Sequence, residues 1–332
     1  MWKYLLSRLA AMAATLLVIC AVVFVIFYVF PTSPAESICG KGCSPGSIRA
    51  INHTLGLDKS LYAQFGDYLK GVFAGRTYGT APHELHCAFP CLGFSYQSNA
   101  TVTSLLWDRL AVSASIAVGA SVLFLVSGVL IGTVASLYRG TRLDRWLMGG
   151  SLAASASPTF LTAIVLLFLL SGKLHILPSP HYVAFADSPA AWFQGLLLPW
   201  VTLAFANAAH YARYTRGSMV ESMSQDYVRT ARAKGAGMLR LVTKHGMRAG
   251  LTPVVTVFGL QFAGLMGGTI IVETVFGFSG LGQLFIQAVN TTDIPIVLGV
   301  TLLTAVLVLV ANLVVDLLYA VLNPRARSGG NA

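Results

Sequence analysis

Residues 294–320 read IPIVLGVTLLTAVLVLVANLVVDLLYA, and Asp316 is the one charged residue among them. A helix needs about 20 predominantly apolar residues to cross the hydrocarbon core of a bilayer, so this stretch predicts a transmembrane helix. Five further apolar stretches of comparable length precede it, at residues 9–30, 103–137, 148–170, 195–217 and 250–272. The sequence therefore predicts an all-α polytopic membrane protein with six transmembrane helices.

The composition of the chain indicates a surface that faces mostly lipid. Of its 332 residues, 55% are hydrophobic and 10% are charged, and the mean hydropathy is +0.72. Soluble domains carry about 25% charged residues. The formal net charge is +10, but the basic residues are spread over short loops without the interleaved aromatic residues of a nucleic-acid groove. We expect no nucleic-acid partner.

The positions of Lys and Arg predict the orientation in the membrane, because short cytoplasmic loops carry an excess of these residues. They concentrate near the N-terminus, after the second and fourth spans, and in the C-terminal tail. We therefore expect both termini in the cytoplasm and the long loop 31–101 outside. The first apolar run exceeds the roughly 7–15 residues of a signal-peptide core, so it is expected to stay as a transmembrane helix.

Four cysteines fall in the long loop and form two Cys-x-x-x-Cys pairs: Cys39, Cys43, Cys87 and Cys91. In an oxidising compartment they predict two disulfides, with three possible connectivities that the sequence does not distinguish. A metal site is the less favoured alternative, because no Cys-x-x-Cys spacing occurs and His83 and His86 are the only histidines nearby. Cys20 lies within the first span and is expected to pack as a small apolar side chain.

A basic segment, residues 226–250, lies between the fourth and fifth spans. Its first part reads DYVRTARAKGA. Val228 and Ala231 share one helical face, with Tyr227 beside them. Gly235 then ends the helix in the manner of a C-cap. A short helix that ends at an exposed glycine turn fits the groove of a partner protein.

A second helix of the basic segment is predicted to begin at Met238, with Leu241 and Met247 on its apolar side. Its basic residues recur every four positions and form one stripe: Arg240, Lys244 and Arg248. Such a helix can instead lie on anionic lipid. The two-helix organisation and the glycine break favour docking to a protein, and the lipid surface is the alternative.

A gate segment, residues 273–282, follows the fifth span and reads ETVFGFSGLG. It is too apolar for a solvated loop. Such a segment dips back toward the membrane only where protein or a water-filled cavity satisfies its backbone. An interfacial helix is the alternative. The candidate residues of this external gate are Glu273, Phe276, Gly277, Phe278, Gly280, Leu281 and Gly282.

The sequence has no Gly-x-x-x-x-Gly-Lys-Ser/Thr phosphate loop, no His-Glu-x-x-His zinc motif and no Gly-x-Ser-x-Gly nucleophile elbow. Ionisable residues are scarce in the last four spans, where His210 and Asp316 are the main ones. Because such residues mark ion-driven carriers, their scarcity disfavours one. Asp316 and Asn312 share a helix face and are expected to hydrogen-bond between helices. A passive channel, an assembly scaffold and the translocating part of an externally driven machine remain.

Four motifs together resemble those of ABC importer permeases of the dipeptide, oligopeptide and nickel group. The basic segment, with KHGMR at 244–248 and Pro253, resembles the family's cytoplasmic EAA loop. The gate segment, the ending LNPR at 322–325 and the opening YLLSRL at 4–9 resemble further motifs of the group. The resemblance covers residues 1–40 and 100–327.

Three features depart from the family's pattern. Arg229 stands where the eponymous Glu would be, as is common in this group, and Asn323 replaces the usual Asp. The loop with four cysteines is not a general feature of the family. We expect this loop to be a stabilised docking surface for an external binding protein.

The resemblance implies a type I ABC importer permease fold in a bacterial inner membrane. It also implies a heterodimer with a second homologous permease, two cytoplasmic ABC ATPase subunits, an external substrate-binding protein and a peptide substrate. No cofactor is expected. The chain is expected to be no enzyme, since ATP hydrolysis resides on the partner chains.

By the family's pattern, Gly235 shapes the coupling turn, and Arg229 and Arg232 contact the polar rim of the ATPase. The residues expected to fill the ATPase groove are Tyr227, Val228, Arg229, Thr230, Ala231, Arg232, Ala233 and Lys234. The expected organisation is an N-terminal segment and first span (1–30), an external loop (31–101), a transmembrane core (102–322) that includes the coupling loop (218–250), and a cytoplasmic tail (323–332).

Two alternatives to a peptide importer are kept. A nickel importer of the same family would favour His or Met along its path, and only His210 and scattered Met residues are available. A stand-alone channel would act without nucleotide. An enzyme within the membrane would need a catalytic set that the sequence does not contain.

Overall fold

The structure is a computed structural model. It describes residues 2–29, 44–46, 49, 58–78, 85–95 and 97–322. Twelve α-helices are labelled in chain order: α1 Trp2–Val29, α2 Leu61–Ala74, α3 Val102–Leu137, α4 Arg142–Ala156, α5 Thr159–Leu166, α6 Pro189–Ser224, α7 Asp226–Ala233, α8 Met238–Arg240, α9 Met247–Gly250, α10 Thr252–Phe276, α11 Leu281–Asn290 and α12 Ile294–Leu322. Two π-helical stretches, Leu167–Lys173 and Leu241–Gly246, extend α5 and join α8 to α9.

Four short strands lie between α2 and α3. β1 (Arg76–Tyr78) pairs antiparallel with β2 (Leu85–Cys87), so that Arg76 faces Cys87. β3 (Phe94–Ser95) pairs antiparallel with β4 (Ala100–Thr101). The strands occupy the later part of the long loop and leave the protein predominantly helical.

Helices cover all six stretches that the sequence predicts as spans, which confirms the all-α fold class. Three helices of the described chain are long and apolar enough to cross a membrane, and five if each bent helix pair counts as one span. The described part of α1 adds a shorter apolar stretch, Ala10–Ile26. The chain is a multi-pass membrane protein.

The third predicted span, 148–170, is not one continuous helix in the structure. It is a pair, α4 and α5 with its π-helical extension, bent by 103°. Ser157 and Pro158 leave the helical region with ψ angles of 125° and 136°. A proline disfavours the α conformation in the residue before it, which explains why the helix stops here.

The chain divides into two compact units, which are described separately. The first unit comprises Met1–Ala111 and Ser279–Leu309. One of its hydrophobic clusters joins α1 and α2, where the Phe24 and Phe65 rings lie 5.3 Å apart. Cys20 is a free cysteine buried in this cluster, as expected for an apolar filler.

The second unit comprises Val112–Phe278 and Val310–Ala332. Its long helices approach closely where α3 carries small residues, as is common in membrane helix pairs. A Cβ on Gly128 would stand 2.6 Å from the Tyr211 Cβ, and one on Gly132 would stand 2.5 Å from the Ala212 carbonyl oxygen. α3 and α6 are therefore packed backbone to backbone, and α6 leads directly into the basic segment.

Candidate functional site

The sequence explains how α7 begins. Gln225 precedes it in an extended conformation, with φ −69° and ψ 151°, and takes the N-cap position. Asp226 stands in the first turn and Arg232 in the last, so both charges interact favourably with the helix dipole. The Arg229 guanidinium lies 3.5 Å from the Asp226 carboxylate. Because both side chains are exposed, this pair adds little stability.

α7 ends in a Schellman motif that calls for glycine at position 235. The Ala236 N–H donates to the Ala231 carbonyl oxygen at 3.1 Å. The Gly235 N–H donates to the Arg232 carbonyl oxygen at 2.9 Å. Gly235 has φ +81°, a left-handed conformation that costs other residues about 1–2 kcal/mol. Among the described residues, no atom lies within 4 Å of a Cβ built there. The backbone conformation, not lack of space, explains the glycine.

One face of α7 attaches it to the rest of the second unit. Val228 is 1% exposed, and Ala231 on the same face is half-buried. Tyr227 remains 46% exposed, although its hydroxyl is hydrogen-bonded to Ser222 Oγ at 3.1 Å. The rest of the helix and its turn is exposed: Arg229, Thr230, Arg232, Ala233, Lys234 and Gly235. One valine therefore anchors a helix that presents most of its surface outward.

The chain from Met238 to Gly250 is helical but not one regular helix. α8 passes into the π-helix Leu241–Gly246 before α9 begins. Leu241 and Val242 are buried whereas Met238 is 50% exposed. The predicted apolar side is wrong at Met238, because this residue begins α8 directly after the exposed Gly237. The predicted basic residues are exposed: Arg240, Lys244 and Arg248.

Two serines of α6 hold this helical stretch, and sequence analysis did not identify them. Ser222 Oγ donates to the Gly246 carbonyl oxygen at 3.0 Å, and Ser218 Oγ donates to the Gly250 carbonyl oxygen at 2.7 Å. A Cβ on Gly250 would stand 2.8 Å from the Met219 Sδ. The close packing joins both ends of the basic segment to the end of α6. The four-residue spacing of the two serines was the available signal.

The first half of the gate segment closes α10. The helix ends at Phe276, and Gly277 follows with φ +72°. The Phe278 N–H donates to the Glu273 carbonyl oxygen at 2.8 Å. Glu273 is 0% exposed, and its Oε1 accepts a hydrogen bond from Ser113 Oγ at 2.6 Å. A buried carboxylate therefore lies at the end of an apolar helix, held by a hydroxyl from α3.

The second half of the gate segment opens α11. Gly280 takes the N-cap position, and its carbonyl oxygen accepts from the Leu284 N–H at 3.1 Å. Leu281 and Gly282 are buried. A break of this kind between two helices is found in broken spans and in re-entrant loops. The external gate stays a prediction.

Cys87 and Cys91 form a disulfide with a Cα–Cα distance of 5.5 Å. The other two cysteines of the loop, Cys39 and Cys43, lie outside the described residues, as do the side chain of Asp316 and the tail from 323 onward. Within the described chain, no group of three His, Cys, Asp or Glu side chains is placed to hold a metal ion.

The described chain thus combines several apolar helices of a multi-pass membrane protein with a short, mostly exposed helix that is anchored at the end of one of them. Residues 128–328 match the family described as the binding-protein-dependent transport system inner membrane component. Residues 1–117 match the family that describes the N-terminal part of such components. The chain belongs to this family of ABC importer permeases, and within it to the dipeptide and oligopeptide group.

Relatives match over almost the whole chain. A candidate peptide transport system permease protein of Brucella abortus (strain 2308) is 34% identical over 327 residues, which are 98% of this chain and 99% of that protein. The glutathione transport system permease protein GsiC of Escherichia coli O6:H1 is 35% identical with the same coverage. GsiC of Salmonella typhimurium is 36% identical over 335 residues, again 98% and 99%.

A solved structure supports the fold. A chain of the MetNI methionine ABC transporter, in an inward-facing conformation, aligns with a TM-score of 0.53 and 16% identity. The alignment covers 67% of this chain and 97% of that chain. At this identity the likeness concerns the fold alone, and it agrees with the permease family.

Proposed function

We propose that this chain is a permease subunit through which an ATP-driven importer moves peptides into the cytoplasm. The observation that carries the proposal is the geometry of α7, which is anchored by Val228 and otherwise exposed. A helix with a buried anchor and an exposed polar surface suits insertion into a groove of a second protein. The chain contains no phosphate loop of its own, so the energy must come from that second protein.

The partners follow from the family. An importer permease works with ATPase subunits and with a substrate-binding protein. We assign Tyr227 to Lys234 to the groove of the ATPase, Gly235 to the turn that orients α7, and Arg229 and Arg232 to the polar rim. The permease would pair with a second, similar permease and bind two ATPase subunits. The closing of the ATPases on ATP would then move α7 as a rigid body.

Peptides are the favoured cargo. Relatives that match the whole chain carry the names of peptide and glutathione transport permeases. The nickel alternative is not favoured, since no relative named here is a nickel permease and no metal-binding group occurs among the described side chains. We assign the chain to the bacterial inner membrane with both termini in the cytoplasm. The loop 31–101 and the gate segment would then face outside, where a binding protein delivers the peptide.

Native mass spectrometry and uptake measurements on one preparation test the proposal. The tagged chain is purified from its own membranes in mild detergent, weighed with its companions, and reconstituted into liposomes with its binding protein. Uptake of a mixture of di-, tri- and pentapeptides and glutathione is then followed with and without ATP. We expect one related permease, two ATPase chains and ATP-dependent uptake. A homo-oligomer that passes solutes without nucleotide would contradict the proposal and favour the channel.

A further inference from the structure

A partly buried ion pair joins α4 to α6 in the second unit. Arg216 Nε donates to Asp144 Oδ1 and Arg216 Nη2 donates to Asp144 Oδ2, both at 2.6 Å. The Gly140 N–H also donates to Asp144 Oδ2, at 2.9 Å. The Asp144 side chain is 5% exposed and that of Arg216 is 29% exposed. Two parallel bonds between a guanidinium and a carboxylate fix orientation as well as charge.

A second contact fixes the other end of α4. Arg213 Nη1 donates to Ser155 Oγ at 2.9 Å and to the Ser151 carbonyl oxygen at 3.3 Å. Asp144 lies in the first turn of α4, and Ser155 lies in its last turn. Because Arg213 and Arg216 are neighbours on one face of α6, α4 is attached to α6 at both of its ends. The two helices should therefore move as one body.

The same stretch of α6 leads to the basic segment without a loop. Ser222 lies six positions after Arg216 in the same continuous helix, a rise of about 9 Å. Ser222 contacts both Tyr227 and the Gly246 carbonyl oxygen. A displacement of α7 can therefore reach Arg216 through the hydrogen bond between Tyr227 and Ser222 and through α6 itself.

The far end of α4 is the bend at Ser157 and Pro158, beyond which the chain continues at 103°. A rigid α4 that pivots with α6 would carry this bend with it. We propose that Asp144 and Arg216 are positioning residues that couple movement of α7 to α4 and thereby to the transmembrane core. This inference rests on the proposed importer function and adds to it the link between the docking helix and the spans.

A purely structural role is the competing explanation, since a charged residue close to a membrane span needs a partner in order to be tolerated. The two roles predict different measurements. A structural role lowers the Tm of every variant and leaves the amount of substrate moved per ATP unchanged. A positioning role lowers the substrate moved per ATP in complexes that still assemble.

The test uses the full reconstituted complex, with the peptide mixture as substrate and phosphate release as the measure of hydrolysis. Arg216→Lys keeps the charge but loses the paired bonds. Asp144→Asn keeps the shape but loses the charge. The double exchange of Asp144→Arg with Arg216→Asp restores a pair of reversed polarity. Arg145→Lys, the same exchange at an exposed arginine of α4, is the matched control.

We expect Arg216→Lys and Asp144→Asn to move at least about fivefold less peptide per ATP, the lower end of common coupling energies. The double exchange should recover part of this loss, and Arg145→Lys should equal the wild type. Equal ratios in all assembled variants would overturn the inference. Failure of all three variants to form the complex would overturn it too, because it would assign the pair to folding. Absence of ATP-driven uptake in the wild type would instead contradict the proposed function.

Discussion

The basic segment (residues 226–250) and the disulfide segment (residues 85–95) both lie between longer helices. They differ in the contacts that hold them to the rest of the chain. In the disulfide segment, Cys87 is bonded to Cys91, and the Cys91 N–H donates to the Val72 carbonyl oxygen at 3.2 Å. Ser95 Oγ donates to Asp293 Oδ2 at 2.5 Å, and both residues are buried. Covalent and buried polar bonds therefore fix this segment within the first unit.

α7 of the basic segment has one buried anchor, Val228, and one hydroxyl contact, from Tyr227 to Ser222. Its remaining polar residues are exposed. A segment with few contacts to the rest of the chain is ordered by the partner that binds its exposed face. A segment with many such contacts keeps its conformation without a partner. This difference fits the proposed roles, in which the basic segment follows a moving partner and the disulfide segment keeps a fixed surface.

Replacing the single anchor should have the largest effect. Val228→Asp would place an unpaired charge in an apolar site, at a cost of about 3–5 kcal/mol, and α7 should leave its position. We expect at least a tenfold loss of ATP-dependent uptake and loss of the ATPase subunits on purification. Gln225→Asp adds the same charge at the exposed N-cap and should keep both properties. Similar losses in the two variants would show that charge, not the anchor, matters.

The second-largest effect should come from changing the turn after α7. Gly235 and Gly237 are both exposed, and among the described residues nothing lies near either Cβ position. Gly235 has φ +81° and Gly237 has φ −65°. Gly235→Ala should therefore cost about 1–2 kcal/mol and lower uptake severalfold, while Gly237→Ala should be close to wild type. Gly235→Asn should lie between, because asparagine tolerates this conformation better. Equal uptake in the two alanine variants would contradict the role of the turn.

Removing the disulfide tests the other region. Cys87→Ser with Cys91→Ser opens a very short loop, which in the chain-entropy account costs roughly 2 kcal/mol. We expect faster hydrogen exchange confined to residues 85–95 and the first unit, as seen by mass spectrometry. The ATPase subunits should stay bound. Their release from this variant would break the distinction between the two regions.

The smallest effect should come from Asp67→Asn, which breaks the exposed pair in which Lys59 Nζ lies 2.7 Å from Asp67 Oδ2. The hydrogen bond and the charge of Lys59 lower the pKa of Asp67. Its contribution is therefore present above the ordinary aspartate pKa of about 3.9 and is lost as the pH falls through the lower folded value. Because both side chains are exposed, we expect the variant and the wild type to have the same Tm within measurement error at pH 7 and in acid. A clear loss of Tm at neutral pH would contradict this.

The sequence predicted the elements whose signal is local. Long apolar runs located the helices, and the glycine at 235 located the end of α7, because both signals lie within a few neighbouring residues. The break at Pro158 was visible in the sequence, but a proline inside a span is often tolerated, as Pro199 is within α6. The pattern of apolar residues alone could not show whether a proline ends the helix, as at Pro158, or is tolerated within it, as at Pro199.

Contacts between distant residues were out of reach. Asp144 and Arg216 lie 72 residues apart, and nothing in either neighbourhood indicates the other. The π-helix at Leu241–Gly246 depends on how the stretch packs under α6, which no local propensity encodes. The four cysteines left three connectivities open, because spacing alone does not choose between them, and the structure shows Cys87 bonded to Cys91.

The most direct test of the central claim is photo-crosslinking from α7 in native membranes. A photoreactive amino acid replaces Ala233, which is exposed on α7, and in a matched protein it replaces Phe89, which is 67% exposed in the disulfide segment. We expect a crosslink from position 233 to an ATPase subunit that changes on addition of ATP, and no crosslink to an ATPase subunit from position 89. Crosslinks from position 233 to lipid alone, with the ATPase present in the membrane, would contradict it.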